Sequence, residues 1–180
     1  DAGPTVTASG IGAEAALRVW DRVLEPATRS QDDPLNLAYI AAAPTRAAIA
    51  FDLVTSAANI FGGLWEAGAG AIYAENEALA WIVGLLGWPN GAGGCFVSGG
   101  TSGNLSALMT ARETAKSRRG GRPPGGWQLA CTANAHSSIH SAARALDVDV
   151  IEVPMDARGH LTGAALRTVL EHSPDVFAVV

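Results

Sequence analysis

Apolar positions recur at helical spacing near the start of the chain, where Ala16, Leu17, Trp20, Val23 and Leu24 mark a helix between Ile11 and Leu24. Gln31-Asp32-Asp33-Pro34 interrupts the pattern. A second, largely buried helix is expected from Ala47 to Phe61. Gly62-Gly63 ends it, and Gly68 and Gly70 keep the following segment irregular. A third helix is expected from Glu75 to Leu86, with acids in its first turn where the helix dipole favours them, closed by Gly87 and Pro89. Beyond Pro89 the period changes. Short apolar runs at Cys95-Phe96-Val97, Gln128 to Thr132, Val148 to Val153 and Val176 to Val180 predict strands. Between them, Leu105 to Ala115, Ser138 to Leu146 and Gly163 to His172 predict helices. Strands alternating with helices imply an α/β fold with a mainly parallel sheet, covered by helices on both faces.

The chain has 180 residues, about one domain's worth at roughly 100–200 residues per domain. With 48% hydrophobic and 16% charged residues, it is excluded from the disordered class. A net charge of −5 argues against coating nucleic acid or docking on an anionic membrane. The strongly apolar run from Ala78 to Trp88 stops at Pro89 and is too short to span a bilayer. No secretory signal is visible, and two cysteines, Cys95 and Cys131, cannot build a disulfide scaffold or a four-cysteine zinc site. A reduced, cytoplasmic protein is expected. The first residue is Asp1 rather than Met, and the chain stops inside an apparent core strand, so further sequence is expected beyond what is given. Eleven of the twelve basic residues are arginine; Lys116 is the single lysine.

Several familiar motifs fail. Phe96 stands where a nucleophile elbow around Ser98 needs glycine, and Ala115 precedes Lys116-Ser117 where a P-loop needs one. Neither Gly68/Gly70 nor Gly91/Gly93 completes a dinucleotide fingerprint. His136 and His140 lack the glutamate that follows the first histidine of a zinc-protease helix, so no metal site is expected. One segment survives. Residues Gly94 to Leu105 run from an apolar stretch into Gly99-Gly100, then into Thr101, Ser102 and Asn104, then into an amphipathic helix. Glycines admit an anion close to the backbone, and the helix start offers unpaired N–H groups to a phosphate. An ordinary glycine-rich turn with a helix cap is the other reading. One strand later, Ala135-His136-Ser137-Ser138 places His136 just past a strand's carboxyl end, where ligands bind in open α/β sheets. An imidazole there could stack on a planar heteroaromatic ring or simply cap the strand end.

Taken together these segments resemble the N-terminal half of the group II pyridoxal-phosphate-dependent amino-acid decarboxylases, over about Asp33 to Val180. The strongest matches are Ser98-Gly99-Gly100-Thr101-Ser102-Gly103-Asn104-Leu105 and Ala135-His136-Ser137-Ser138, with weaker support from Trp65, Trp81 and Pro89. Many relatives have glutamate where Ser102 stands. The resemblance implies the large domain of a fold type I pyridoxal-phosphate enzyme, here truncated. An N-terminal helical arm (residues 1–32) would precede the cofactor-binding domain (residues 33–180). It implies pyridoxal 5'-phosphate as cofactor, with Gly100, Thr101, Ser102 and Asn104 at its phosphate and His136 stacked on its ring as the catalytic side chain. Tyr39 falls near a segment that shapes the substrate pocket in relatives. The implied reaction is decarboxylation of an L-amino acid, aromatic or acidic, by a homodimer. The Schiff-base lysine and the aspartate at the pyridine nitrogen would lie in a C-terminal half, on this protein or a second chain. Lys116 matches neither. Another fold type I lyase, an aminotransferase-like enzyme, or a non-catalytic phosphate-binding homologue are the competing expectations.

Overall fold

The computed structural model describes residues 3–4, 6–29, 31, 33–40 and 42–180. Asp1 and Asp32, which bound the expected arm, lie outside the described residues. The chain divides into two compact units, residues 1–71 and 72–180.

In the first unit, helix α1 (Ala13–Val19) runs into one π-helical stretch, Trp20–Leu24. Helix α2 (Arg46–Ala58) begins where the Thr45 hydroxyl accepts the Ala48 N–H at 3.2 Å and ends at Asn59, in the left-handed region. None of its residues is buried, so this helix is not the core element its apolar sequence suggests. Helix α3 (Trp65–Leu85), whose residues from Ile72 onward are counted in the second unit, starts ten residues earlier than the expected Glu75 and is kinked at Gly68. A Cβ on Gly68 would lie 2.6 Å from the Phe61 carbonyl oxygen, so the kink brings backbone against backbone where only glycine fits.

The second unit is built on a three-stranded parallel sheet of order β2-β1-β3, where β1 is Gln128–Cys131, β2 is Asp149–Glu152 and β3 is Val176–Val179. Leu129 pairs with Val150 on one side and Ala178 on the other. The chain returns from β1 to β2 through α5 (Ser137–Leu146) and crosses back over β1 to β3 through α6 (Gly163–His172). Winding therefore reverses at β1, the situation that opens a crevice beyond a strand's carboxyl end. Helix α4 (Gly100–Arg119) packs on α5, and Leu108, Leu129, Cys131, Ile139, Ala142, Ala143 and Leu146 form the core between them and the sheet. Arg112 reinforces this packing by donating to the Leu146 carbonyl at 2.9 Å. Among the described residues no helix is long and apolar enough to cross a membrane.

One expected strand is absent. Cys95-Phe96-Val97 is exposed and pairs with no strand of the described sheet; the Phe96 N–H instead donates to the Glu75 carboxylate at 2.7 Å. Hydrophobicity marks a segment that wants a sheet neighbour, but a strand exists only where a neighbour supplies the ladder. Gly100 is a second adjustment. It belongs to the first turn of α4 rather than to a turn ahead of the helix, and Gly99 occupies the N-cap.

Candidate cofactor and substrate site

The two sequence segments singled out above meet at the starts of two neighbouring helices. On α4, the N–H groups of Gly100, Thr101 and Ser102 precede the point where helical bonding begins, and Gly103 is the first to donate, to the Gly99 carbonyl at 3.0 Å. No acidic side chain lies in that first turn, whereas Lys116, Arg118 and Arg119 lie in the last, so charged side chains complement the helix dipole only at the far end. A Cβ built on Gly99 or Gly100 meets nothing within 4 Å, which leaves open the space a tetrahedral anion needs to reach the backbone. Thr101 is exposed, Ser102 and Asn104 are half-buried, and the Ser98 and Ser102 hydroxyls stand 3.4 Å apart.

On the neighbouring helix, the chain leaves β1 through a turn closed by the Ala135 N–H on the Thr132 carbonyl at 3.0 Å. His136 follows as the N-cap of α5. Its Nδ1 accepts the Ser138 N–H at 3.2 Å, in the role a serine or aspartate side chain usually fills. The imidazole is exposed, and Nε2 has no hydrogen-bond partner among the described residues. The link between the helices is a side-chain bond: Asn104 Nδ2 donates to Ser138 Oγ at 2.8 Å. Ser138 Oγ in turn lies 2.8 Å from His136 Nδ1. Asn104 and His136 thus meet through one shared hydroxyl, and the start of α4 is tied to the start of α5.

Sequence reasoning missed Ser138, although a signal was present. It stands four and eight residues before Ala142 and Leu146, as the polar member of the buried stripe of α5. Glu75 was also read only as a helix-start acid. Tyr39 belongs to the first unit, exposed, with a positive φ of 65° and the Arg29 guanidinium 5.7 Å from its ring centre. Lys116 sits in the last turn of α4, its Nζ 3.6 Å from the Glu113 carboxylate.

Residues 13–178 match the model of the pyridoxal-dependent decarboxylase conserved domain. An aromatic-L-amino-acid decarboxylase of Bacillus atrophaeus is 39% identical over 82 residues, covering 46% of this chain and 17% of the relative. An L-2,4-diaminobutyrate decarboxylase of Rhizobium meliloti is 30% identical over 166 residues, 89% of this chain and 32% of the relative. The chain therefore spans less than a third of the length of these curated relatives. The crystal structure of Oryza sativa TDC with PLP superposes with a TM-score of 0.78 at 24% identity, over 98% of this chain and 41% of that one. That likeness establishes the fold.

Proposed function

The chain belongs to the pyridoxal-dependent decarboxylase family, and from that premise we propose that it carries the phosphate- and ring-binding part of an enzyme that removes the carboxyl group of an L-amino acid as carbon dioxide. The observation that carries the reading is the Asn104–Ser138 bond at 2.8 Å, which joins the anion-ready start of α4 to the histidine at the start of α5. The residues present fit pyridoxal phosphate at two of its ends. Open space over Gly99 and Gly100, three N–H groups free of helical acceptors and the hydroxyls of Thr101 and Ser102 suit its phosphate. The exposed imidazole of His136, fixed through Nδ1, suits the face of its ring.

Pyridoxal phosphate, when bound, supplies an electron-accepting ring for the pair left behind as the carboxylate departs. The protein's own residues bind and orient. Gly100, Thr101 and Ser102 would hold the phosphate with oriented N–H and O–H donors, Asn104 ties the start of α4 to α5, and His136 would lie against the ring. Lys116 is no candidate for the tethering lysine: fifteen residues of helix from Thr101 correspond to roughly 22 Å at 1.5 Å per residue. That lysine lies outside these 180 residues in this reading, as does the partner of the pyridine nitrogen. An aromatic L-amino acid is the substrate we favour, with an acidic one next and Tyr39 a candidate contact. The name of the Bacillus relative supports the aromatic choice. A cytoplasmic setting is consistent with Cys95 and Cys131 both being free thiols.

The test is amine and carbon dioxide release by the full-length protein with pyridoxal phosphate and a panel of aromatic, acidic and diamino L-amino acids. Release from none of them by a cofactor-loaded protein would reject decarboxylation. Thr101→Ala removes one charge-assisted hydrogen bond of about 1.5–3 kcal/mol and should weaken cofactor binding roughly 10- to 150-fold. Unchanged cofactor affinity would remove the phosphate from this turn.

A further inference from the structure

Ser138 is 3% exposed, a buried polar side chain in a core otherwise made of apolar groups. It shares a helical stripe with Ala142 and Leu146, where an alanine would serve packing as well. The hydroxyl is explained by its bonds instead. We propose that Ser138 is a positioning residue that relays a hydrogen bond from Asn104 to His136 and fixes the imidazole proton on Nε2. The consequence for catalysis rests on the function proposed above; the proton position itself rests only on the relay.

Each donor in the relay has one role. The carboxamide nitrogen of Asn104 only donates, so Ser138 Oγ accepts at 2.8 Å. The hydroxyl has a single proton, and His136 Nδ1 lies 2.8 Å away to receive it. The backbone N–H of Ser138 points at the same nitrogen from 3.2 Å and cannot reverse its role. Two donors converge on Nδ1 and leave it no place for a proton of its own. The neutral ring then carries its proton on Nε2, the nitrogen with no partner among the described residues. His136 therefore presents a donor rather than a base. Its Nε2–H can hold an anionic oxygen, such as one of a substrate carboxylate, but it cannot take a proton from the substrate. Asn104 does more than space the helices. By occupying the hydroxyl's acceptor side, it leaves the hydroxyl proton free to aim at the ring.

The test reads the proton directly, without cofactor. Full-length protein labelled with ¹⁵N-histidine is examined by long-range ¹H–¹⁵N correlation, with His136→Gln used to assign the ring. Wild type should show Nε2 protonated and Nδ1 bare. Ser138→Ala leaves only the longer backbone donor on Nδ1 at 3.2 Å and should admit a measurable fraction of the Nδ1-protonated form, and Ser138→Thr, which keeps the hydroxyl, should restore the single form. Asn104→Asp replaces the donor with an acceptor of the same shape. The hydroxyl should turn toward the new carboxylate and leave Nδ1 with the backbone donor alone, so the Nδ1 resonance should move part-way toward the protonated range, as in Ser138→Ala. If Ser138→Ala fails to fold, Asn104→Asp carries the same decision. A ring that keeps its Nε2 proton alone in Asn104→Asp, or in a folded Ser138→Ala, would overturn the relay. Cofactor affinity measured on the same samples separates the two readings. A locked ring in a protein that binds no pyridoxal phosphate would sink the proposed function and leave the relay standing. Tight binding with a ring indifferent to both substitutions would do the reverse.

Discussion

The two thiols of the second unit sit in opposite surroundings. Cys131 is 1% exposed at the end of the central strand, and burial, reinforced by the neighbouring Glu152 carboxylate, pushes its thiol above the ordinary value. Cys95 is exposed. A thiol reagent should therefore modify Cys95 in the native protein and Cys131 only on unfolding, as peptide mapping would reveal. Rapid native labelling of Cys131 would contradict the packing of β1. The sign of the pH effect follows from the raised value. Folding favours the protonated thiol, so its contribution to stability is complete below the ordinary thiol pKa. It is lost as pH rises from there through the folded value. Cys131→Ala should lower the neutral-pH Tm through the cavity it leaves and flatten the alkaline decline. At this scale the sequence offered a candidate site: hydroxyls after paired glycines and a histidine after a strand each suggest a chemistry, and the structure brings the two segments together through Asn104 and Ser138. Ser138 was harder to see. Its place in the buried stripe with Ala142 and Leu146 shows only once the helical register is laid out, and a hydroxyl two residues after a cap otherwise looks like a surface serine.

Two of the three glycines in helix α3, Gly68 and Gly70, look alike in sequence and are separated by the structure. Gly68 departs from helical geometry with φ −128°, and its missing Cβ would meet backbone at 2.6 Å. Gly70 is regular helix with open space around it. Gly68→Ala should destabilise the protein by about 1–3 kcal/mol, as overpacking against an immobile neighbour does. Gly70→Ala should instead stabilise it by roughly 0.5–1 kcal/mol, through the lower entropy of the unfolded chain. Equal effects in paired melts would contradict the close approach at Phe61. The same contrast explains what period and punctuation could and could not give. The three strands and helices α4 and α5 were legible because their apolar stripes meet partners within the same unit, and α6 because Thr162 caps its start at the head of a helical apolar period. The start of α3 was not, since the glycines that punctuate sequences can also sit inside a bent helix. Cys95-Phe96-Val97 reads as a strand by composition, but a ladder depends on a second chain segment that composition does not describe.

The first unit leaves large apolar side chains uncovered, among them Leu17 at 66% and Trp20 at 52% exposure, three residues apart in the arm. Faces of this kind mark interaction surfaces. We expect the full-length protein to be a homodimer in which the arm, residues 1–32 and chiefly Ile11 to Glu25, packs partly on its mate ahead of the domain at 33–180. A monomer by light scattering at micromolar concentration would reject this. The strand order of the second unit has a kinetic consequence of its own. β1 pairs with β2 across one short helical crossover, but with β3 only after the chain has passed β2 and α6. Closing the longer loop carries the larger entropy, so β1, α5 and β2 should assemble first and β3 should dock late. Val150→Ala, beside Leu129 on the early side, should slow folding; Ala178→Gly, on the late side, should mainly speed unfolding. A nascent chain would thus hold Leu129 and Ala130 with one edge open until β3 leaves the ribosome, the interval in which a chaperone has most to offer.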